Sequence, residues 1–422
     1  MKPASPQQRN LLYPFMLVTS LFFLWGFVHN LDPILIPHLK KSFSLSTLQS
    51  SLVDSAVFIA YFVMALPAGY LMRKYGYKAG IITGLLLFAI GSFLFIPAAN
   101  TQQYLFFLLA LFIIACGLTI LETAANPYAS LLGDPATATQ RLNFAQSFNG
   151  LAATLAPIIG ARIILTKGFS DEELGAMTDA ARQVALASEA ASVKMPYLVL
   201  GSLILVVAVL FALIKLPEIH DEEEKVAGTS IFHSLRYSHL RWAVVAQFFY
   251  VGAQVCVFSF FILYAVEAAQ IDKIKAADYL GWGCGMAFMI GRFAGTFFMR
   301  FIQPARLLAL YGLFSTILCG VAMFVHGLPA VYAVIGIAFF MSVMFPTIFS
   351  LGITDLGADA KYGSSLIVMA IVGGAILPPI MAQISDMTGN IQLGYIVPLL
   401  CFAIVAYFGW KGHRVQKNQS HA

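Results

Sequence analysis

The sequence predicts an all-α membrane protein of about 12 transmembrane helices, because a span needs roughly 20 apolar residues and such runs fill the chain. Three observations carry this. Of the 422 residues, 59% are hydrophobic and only 11% charged, where a soluble domain carries roughly 25% charged residues. The mean hydropathy is +0.82. The apolar residues also gather in helix-length runs, not in the short alternating segments of a membrane β-barrel.

In chain order, the runs of the first half lie at 12–38, 47–72, 79–98, 103–130, 142–166 and 194–216. Those of the second half lie at 241–270, 276–300, 304–326, 328–354, 361–385 and 391–411. Residues 1–10 are polar, and the run after them is too long for a signal-peptide core, so it reads as a retained first span. Two loops interrupt the rhythm. Residues 167–193 are polar and Ala-rich and can carry a short surface helix. Residues 217–240 open with Pro217 and the acidic run Asp221–Glu224. This second loop divides the chain into a six-helix half at 1–216, a cytoplasmic linker at 217–240 and a second six-helix half at 241–422.

The halves echo one another. Residues 126–157 resemble 345–378, with Pro127 matching Pro346 and Pro157 matching Pro378; GYLMRKYGYK from Gly69 pairs with GTFFMRFIQPAR from Gly295. Repeated halves in a membrane protein point to alternating access around a midplane site.

The net charge of +5 does not mark a nucleic-acid binder, since the 25 basic residues are scattered over short loops and form no stripe. With both termini on one side, that side carries 16 of the 25 and the opposite side seven, with Arg162 and Arg292 inside spans. The positive-inside bias therefore places both termini in the cytoplasm. Cys116, Cys256, Cys284, Cys319 and Cys401 each sit in an apolar run without a CxxC or Cys/His pair, which excludes a recognisable metal motif. No catalytic triad or cytoplasmic output domain is visible either, so an enzyme or sensor is not expected.

Ionisable and amide groups within spans are costly and mark functional sites. In span one, Trp25, His29 and Asp32 fall within about 60° of one another on a helix, and Pro33 and Pro37 follow. In span four, Glu122 lies deep in GLTILETAANPY, with Asn126 one turn later and Pro127 beside it. In span five, Gln146 and Asn149 share a face in RLNFAQSFNG, with Asn143 one turn before and Gly150 allowing close approach. In span seven, Gln247, Tyr250 and Gln254 lie within about 60°. Asp54, Arg162 and Arg292 are further candidates, Arg292 in a structural or gating role.

These sets offer carboxylates, amides, a phenol and an indole, with few fixed cations. Amides donate and accept at once, which suits the hydroxyls of a sugar, while aromatic rings suit its C–H faces. Desolvation favours the neutral form of a carboxyl, so a buried acid can load and release a proton. The expected activity is proton-coupled import of a monosaccharide, energised by the proton gradient with no cofactor or metal, by a monomer in lipid. Export or uncoupled passage of another small polar metabolite are the alternatives.

LFFLWGFVHNLDPILIPHL, LETAANPY, RLNFAQSFN, RWAVVAQFFYVGAQ, FPTIFSLGI and KYGSSLIVM together resemble the fucose–galactose–glucose:proton symporter branch of the major facilitator superfamily, in particular bacterial L-fucose:proton symporters. The likeness spans nearly the whole chain. It implies the major facilitator fold, a multi-pass protein of the bacterial inner membrane, and import of L-fucose or a related hexose or pentose. It implies that Glu122 handles proton and sugar, and that Gln146 and Asn149 line the cavity. Gly69–Lys78 resembles the superfamily's loop between spans two and three, which gives Arg73 and Lys74 a gating or structural role; Arg73 stands where the family has an acid. In span one the family's aspartate falls on Pro33, and the acid, Asp32, comes one residue earlier. In span ten the family's Gln-Tyr-Pro is Met344-Phe345-Pro346. Both departures leave the identity of the sugar open.

Overall fold

A computed structural model describes residues 6–30, 43, 52–101, 103–160, 171–214, 216–217 and 231–415. Asp32, Pro33, Arg162 and most of the expected linker lie outside the described residues, and of His29 and Asp54 only the helical backbone is described.

The regular structure is helical. The helices named below are α1 (Pro6–His29), α2 (Leu52–Thr101), α3 (Tyr104–Leu131), α4 (Ala138–Gly160), α5 (Asp179–Ala191), α6 (Lys194–Leu213), α7 (Ser238–Ser259), α8 (Phe261–Ala269), α9 (Met286–Phe298), α10 (Pro304–Phe324), α11 (Leu328–Met341), α12 (Met344–Gly352), α13 (Ala360–Met369), α14 (Gly373–Thr388) and α15 (Ile396–Tyr407). Among the described residues, eight helical stretches are long and apolar enough to cross a membrane. One of them, Ala56–Thr101, has 46 residues. At about 1.5 Å per residue it is more than twice as long as one crossing requires. Gly76, with φ 82° and ψ 171°, breaks it where the sequence places a loop. With this stretch counted twice, and with α1, α4 and the Lys273–Phe298 segment, the 12 expected spans are reached. The chain is a multi-pass membrane protein. α4 falls short of the apolar threshold because Gln140, Arg141, Asn143, Gln146 and Asn149 interrupt it. The last span before the long surface loop is thus the most polar, and it builds much of the site. The Lys273–Phe298 segment contains a π-helical stretch, Tyr279–Gly285.

The chain forms two compact units. One contains Leu24–Ala124 and Leu155–Glu218. Here α2 and α3 cross at backbone distance, since a Cβ on Gly117 would lie 2.6 Å from the Gly84 carbonyl and one on Gly91 would lie 2.7 Å from the Ile114 nitrogen. Without a hydrophobic driving force between helices in lipid, small residues that admit such contact supply the packing. α6 lies on α2, with the Phe95 and Tyr197 rings stacked at 3.7 Å. The Lys78 ammonium donates to the Ala212 and Ile214 carbonyls at 2.9 and 2.8 Å, satisfying acceptors that the end of α6 leaves open. The expected surface loop contains α5, with Ala185 as its buried side chain.

The other unit contains Met1–Phe23, Ala125–Thr154 and Ile219–Ala422. α7 packs on α12, α14 and α15, α10 on α11 and α15, and α9 on α11. Glycines again set the contacts: a Cβ on Gly291 would lie 2.3 Å from the Phe339 carbonyl, and one on Gly409 2.6 Å from the Ala309 nitrogen. Where the linker ends, the short helix Ile231–Ser234 is tied to the loop before α13. His233 Nδ1 pairs with Asp359 at 2.8 Å, and Ser234 donates to the other carboxylate oxygen at 3.3 Å. All five cysteines are buried and free.

Candidate functional site

α3 carries Glu122, Asn126 and Pro127, all buried. Pro127 lies inside the helix without ending it, although a proline cannot donate to the carbonyl four residues before it. On α4, Gln146 is buried and Asn149 half-buried. On α7, Gln247 and Tyr250 are fully buried and Gln254 half-buried. Trp25 is buried at the end of α1. Arg73 is half-buried and Lys74 exposed, with its ammonium 5.1 Å above the Tyr75 ring.

Arg292 gathers several of these residues. It is buried on α9, its guanidinium 4.7 Å above the Phe288 ring. Its Nε donates to the Ser342 carbonyl at 3.0 Å. That carbonyl lies four residues before Pro346, which has no N–H to offer it, so the arginine fills the place of the missing helical donor. Nη1 donates to the Gln146 carbonyl and, at 3.3 Å, to Gln146 Oε1. Gln146 Nε2 then donates to Asn126 Oδ1 at 3.1 Å. Gly150 leaves room for the arginine: a Cβ there would lie 3.0 Å from Arg292 Cδ.

The same face of α4 makes further ties that the sequence reading did not single out. Thr139 shares a hydrogen bond with Ser350 at 2.9 Å. Asn143 Nδ2 donates to Thr347 Oγ1 at 3.1 Å and to the Thr139 carbonyl at 2.9 Å. Gln140 reaches the Thr296 carbonyl at 3.4 Å. The spacing of Thr139, Asn143, Gln146 and Gly150 marks one helical stripe, about 16 Å long. Pro346 was the available signal for its partner surface. Beside the stripe lies a cavity of about 650 Å³, lined by Phe15, Gln140, Arg141, Phe144, Thr296 and Arg300 among others.

The buried polar atoms with no hydrogen-bond partner among the described residues include both amide atoms of Gln247, the Tyr250 hydroxyl, Asn126 Nδ2 and Asn143 Oδ1. A buried donor or acceptor left unmade costs about 1–3 kcal/mol, and such groups call for a ligand or water. The Tyr250 ring lies 6.4 Å from the Phe345 ring, three residues after Ser342, whose carbonyl Arg292 holds, so α7's polar face meets the same turn as the arginine. Within this unit the structure brings Asn126, Gln146, Arg292 and Tyr250 into one neighbourhood; Glu122 lies one helical turn before Asn126 on α3.

The sequence profile of the Major Facilitator Superfamily matches residues 16–354. The chain belongs to this superfamily. It is 43% identical over 410 residues to the L-fucose-proton symporter of Escherichia coli K12, covering 95% of this chain and 93% of that protein. It is 40% identical over 409 residues to a glucose/galactose transporter of Brucella abortus, covering 96% of each. The E. coli fucose:proton symporter has been solved, in one case in an outward conformation; that structure superposes with a TM-score of 0.89 at 42% identity, covering 95% of this chain and 99% of that one.

Proposed function

We propose that this major facilitator protein imports a monosaccharide together with a proton across the bacterial inner membrane. The observation that carries the reading is the set of buried amide and hydroxyl atoms on Asn126, Gln247 and Tyr250 that have no hydrogen-bond partner among the described residues. They offer donors and acceptors together, as a sugar hydroxyl requires. The names of the similar proteins point to the same substrate class, with L-fucose first and galactose or glucose next.

In this reading Asn126, Gln146, Asn149, Gln247, Tyr250 and Gln254 bind the sugar, and Trp25 and His29 serve its C–H faces. Glu122 and Asp32 carry the proton and also bind the sugar. The two halves, 1–216 and 241–422, rock about the site as a monomer in lipid, with the 217–240 linker and both termini in the cytoplasm. The proton gradient is the energy source and no cofactor takes part. The bonded stripe of α4 is the cytoplasmic seal, the 650 Å³ cavity is the vestibule outside it, and Arg73 and Lys74 steady the loop between spans two and three.

Uptake into proteoliposomes tests this. Labelled L-fucose, D-galactose and D-glucose are offered with and without an inward proton gradient. At least one sugar should accumulate only with the gradient, and entry should alkalinise a weakly buffered exterior. Glu122→Gln should abolish uphill accumulation while preserving sugar-for-sugar exchange. Accumulation equal to that of the parent protein would remove Glu122 from the coupling.

A further inference from the structure

We infer that Arg292 is a positioning residue that fixes the donor–acceptor polarity of the sugar-facing amides, so that Asn126 presents an N–H donor to the substrate. The inference rests on the sugar-import reading.

The argument runs along one chain of hydrogen bonds. A guanidinium can only donate. The Gln146 side-chain atom that faces it must therefore be the oxygen, since the amide nitrogen would set donor against donor; this is the arrangement observed, at 3.3 Å. The Gln146 nitrogen is then turned toward Asn126, 3.1 Å away. A donor arriving there requires the Asn126 oxygen. What remains is Asn126 Nδ2, on a side chain with no exposed surface and with no hydrogen-bond partner for that atom among the described residues. The orientation follows from the chemistry of the arginine and does not depend on telling nitrogen from oxygen in either amide.

The arginine is itself fixed from outside the relay. Its Nε is held by the Ser342 carbonyl, which Pro346 cannot serve as a helical donor would. Another Nη1 contact goes to the Gln146 main chain. Arg292 therefore spans α9, the Ser342 turn and α4, and the polarity it imposes persists only while those three stay together. A group at the seal would thereby set how the sugar is read, without touching the sugar.

Sugar analogues read this polarity. A deoxyfluoro sugar can still accept a hydrogen bond weakly, whereas a deoxy sugar can neither accept nor donate. The probes are the 2-, 3- and 4-deoxy and deoxyfluoro forms of whichever of L-fucose or D-galactose binds the purified full-length protein, with Kd measured calorimetrically. At one ring position the fluoro form should bind at least about 5-fold more tightly than the deoxy form. Arg292→Met should bring that ratio to about 1, because the Gln146 amide is then free to turn over. Arg292→Lys, which keeps a donor, should restore part of it. A merely structural role would weaken every analogue alike and leave the ratio unchanged, and an unchanged ratio in Arg292→Met overturns the inference. Gln146→Glu provides a second reading if the methionine variant does not fold. Its second oxygen would turn Asn126 around and bring its acceptor to the sugar, so the fluoro preference should again vanish; persistence of the preference there overturns the inference equally. Failure of the import reading looks different: neither sugar binds the parent protein, and both proposals fall together.

Discussion

Two sets of buried polar groups lie in one unit of this protein, and they differ in whether they are satisfied. Along α4, Thr139, the Asn143 amide nitrogen and Arg292's contacts with Gln146 all end on partners. On α7, Gln247 and the Tyr250 hydroxyl meet no hydrogen-bond partner among the described residues. Both sets have amides and hydroxyls at helical spacing, and both are withdrawn from solvent. The difference separates holding from binding. A satisfied group contributes to keeping two helices together, and its removal should register as lost stability. An unsatisfied group is a standing cost that a ligand removes, so its loss should register as lost affinity.

The largest expected effect is on the unsatisfied side. Gln247→Leu removes a buried donor and a buried acceptor that a sugar would satisfy. Two such bonds at about 1 kcal/mol each correspond to a loss of roughly 10–100-fold in sugar Kd. The melting temperature should stay level or rise, since the leucine leaves nothing unsatisfied. Tyr250→Phe is the narrower version, with about a 5-fold loss expected for one bond of about 1 kcal/mol. Calorimetric titration and thermal melting on the same preparations decide the matter. A Gln247→Leu protein that melts earlier yet binds sugar normally would break the distinction.

That distinction was only half legible in the sequence. Glu122, Asn126, Gln146 and Gln247 stand out against apolar runs, and the run lengths identify the spans. Which polar groups are satisfied depends on neighbours from other helices, and no single-helix periodicity carries that information. Gln146 and Gln247 look alike as letters, yet one is held by Arg292 and the other by nothing described. Thr139, Thr347 and Ser350 were missed because a hydroxyl in a membrane helix ordinarily bonds its own backbone, as Thr347 also does to the Val343 carbonyl at 2.6 Å. The clue was indirect: Pro346 leaves the Ser342 carbonyl for another donor, and Arg292 supplies it. The kink at Gly76 was legible because a short basic loop with glycine interrupts two apolar runs.

On the satisfied side, Thr347→Val deletes one tie between α4 and α12 and leaves Asn143 its bond to the Thr139 carbonyl. Interhelical hydrogen bonds in membranes are worth about 0.6–2 kcal/mol. A fall in melting temperature of roughly 1–3 °C should follow, with sugar Kd changed less than about 3-fold. Gly150→Ala tests the boundary between the two sets. Its methyl would press on Arg292 Cδ from 3.0 Å; a flexible side chain can yield by a few tenths of an ångström, which lengthens the bond to Gln146 Oε1. Alanine is also favoured over glycine within a helix by about 1 kcal/mol. Stability should therefore be unchanged while sugar affinity falls about 2-fold, less than half of one hydrogen bond.

The smallest effect expected is at Lys78, in the other unit. Its ammonium closes two carbonyls at the end of α6, a site where positive charge also meets the negative end of the helix dipole. Lys78→Met removes a satisfied tie from a unit that does not contain Gln247 or Tyr250. The cost should be about 1 kcal/mol or less, because water can reach a helix end and replace the lost donor. Melting should drop by roughly 1–2 °C, and equilibrium sugar Kd should stay within about 2-fold. The variant matters because it isolates the rule from the neighbourhood. Thr347 and Arg292 share a unit with the binding groups, so any binding defect there mixes holding with proximity; Lys78 belongs to the other unit. A loss of sugar affinity at Lys78 without a change in melting would mean that satisfied ties outside the Arg292 relay also tune the cavity, and the division between holding and binding groups would have to be abandoned.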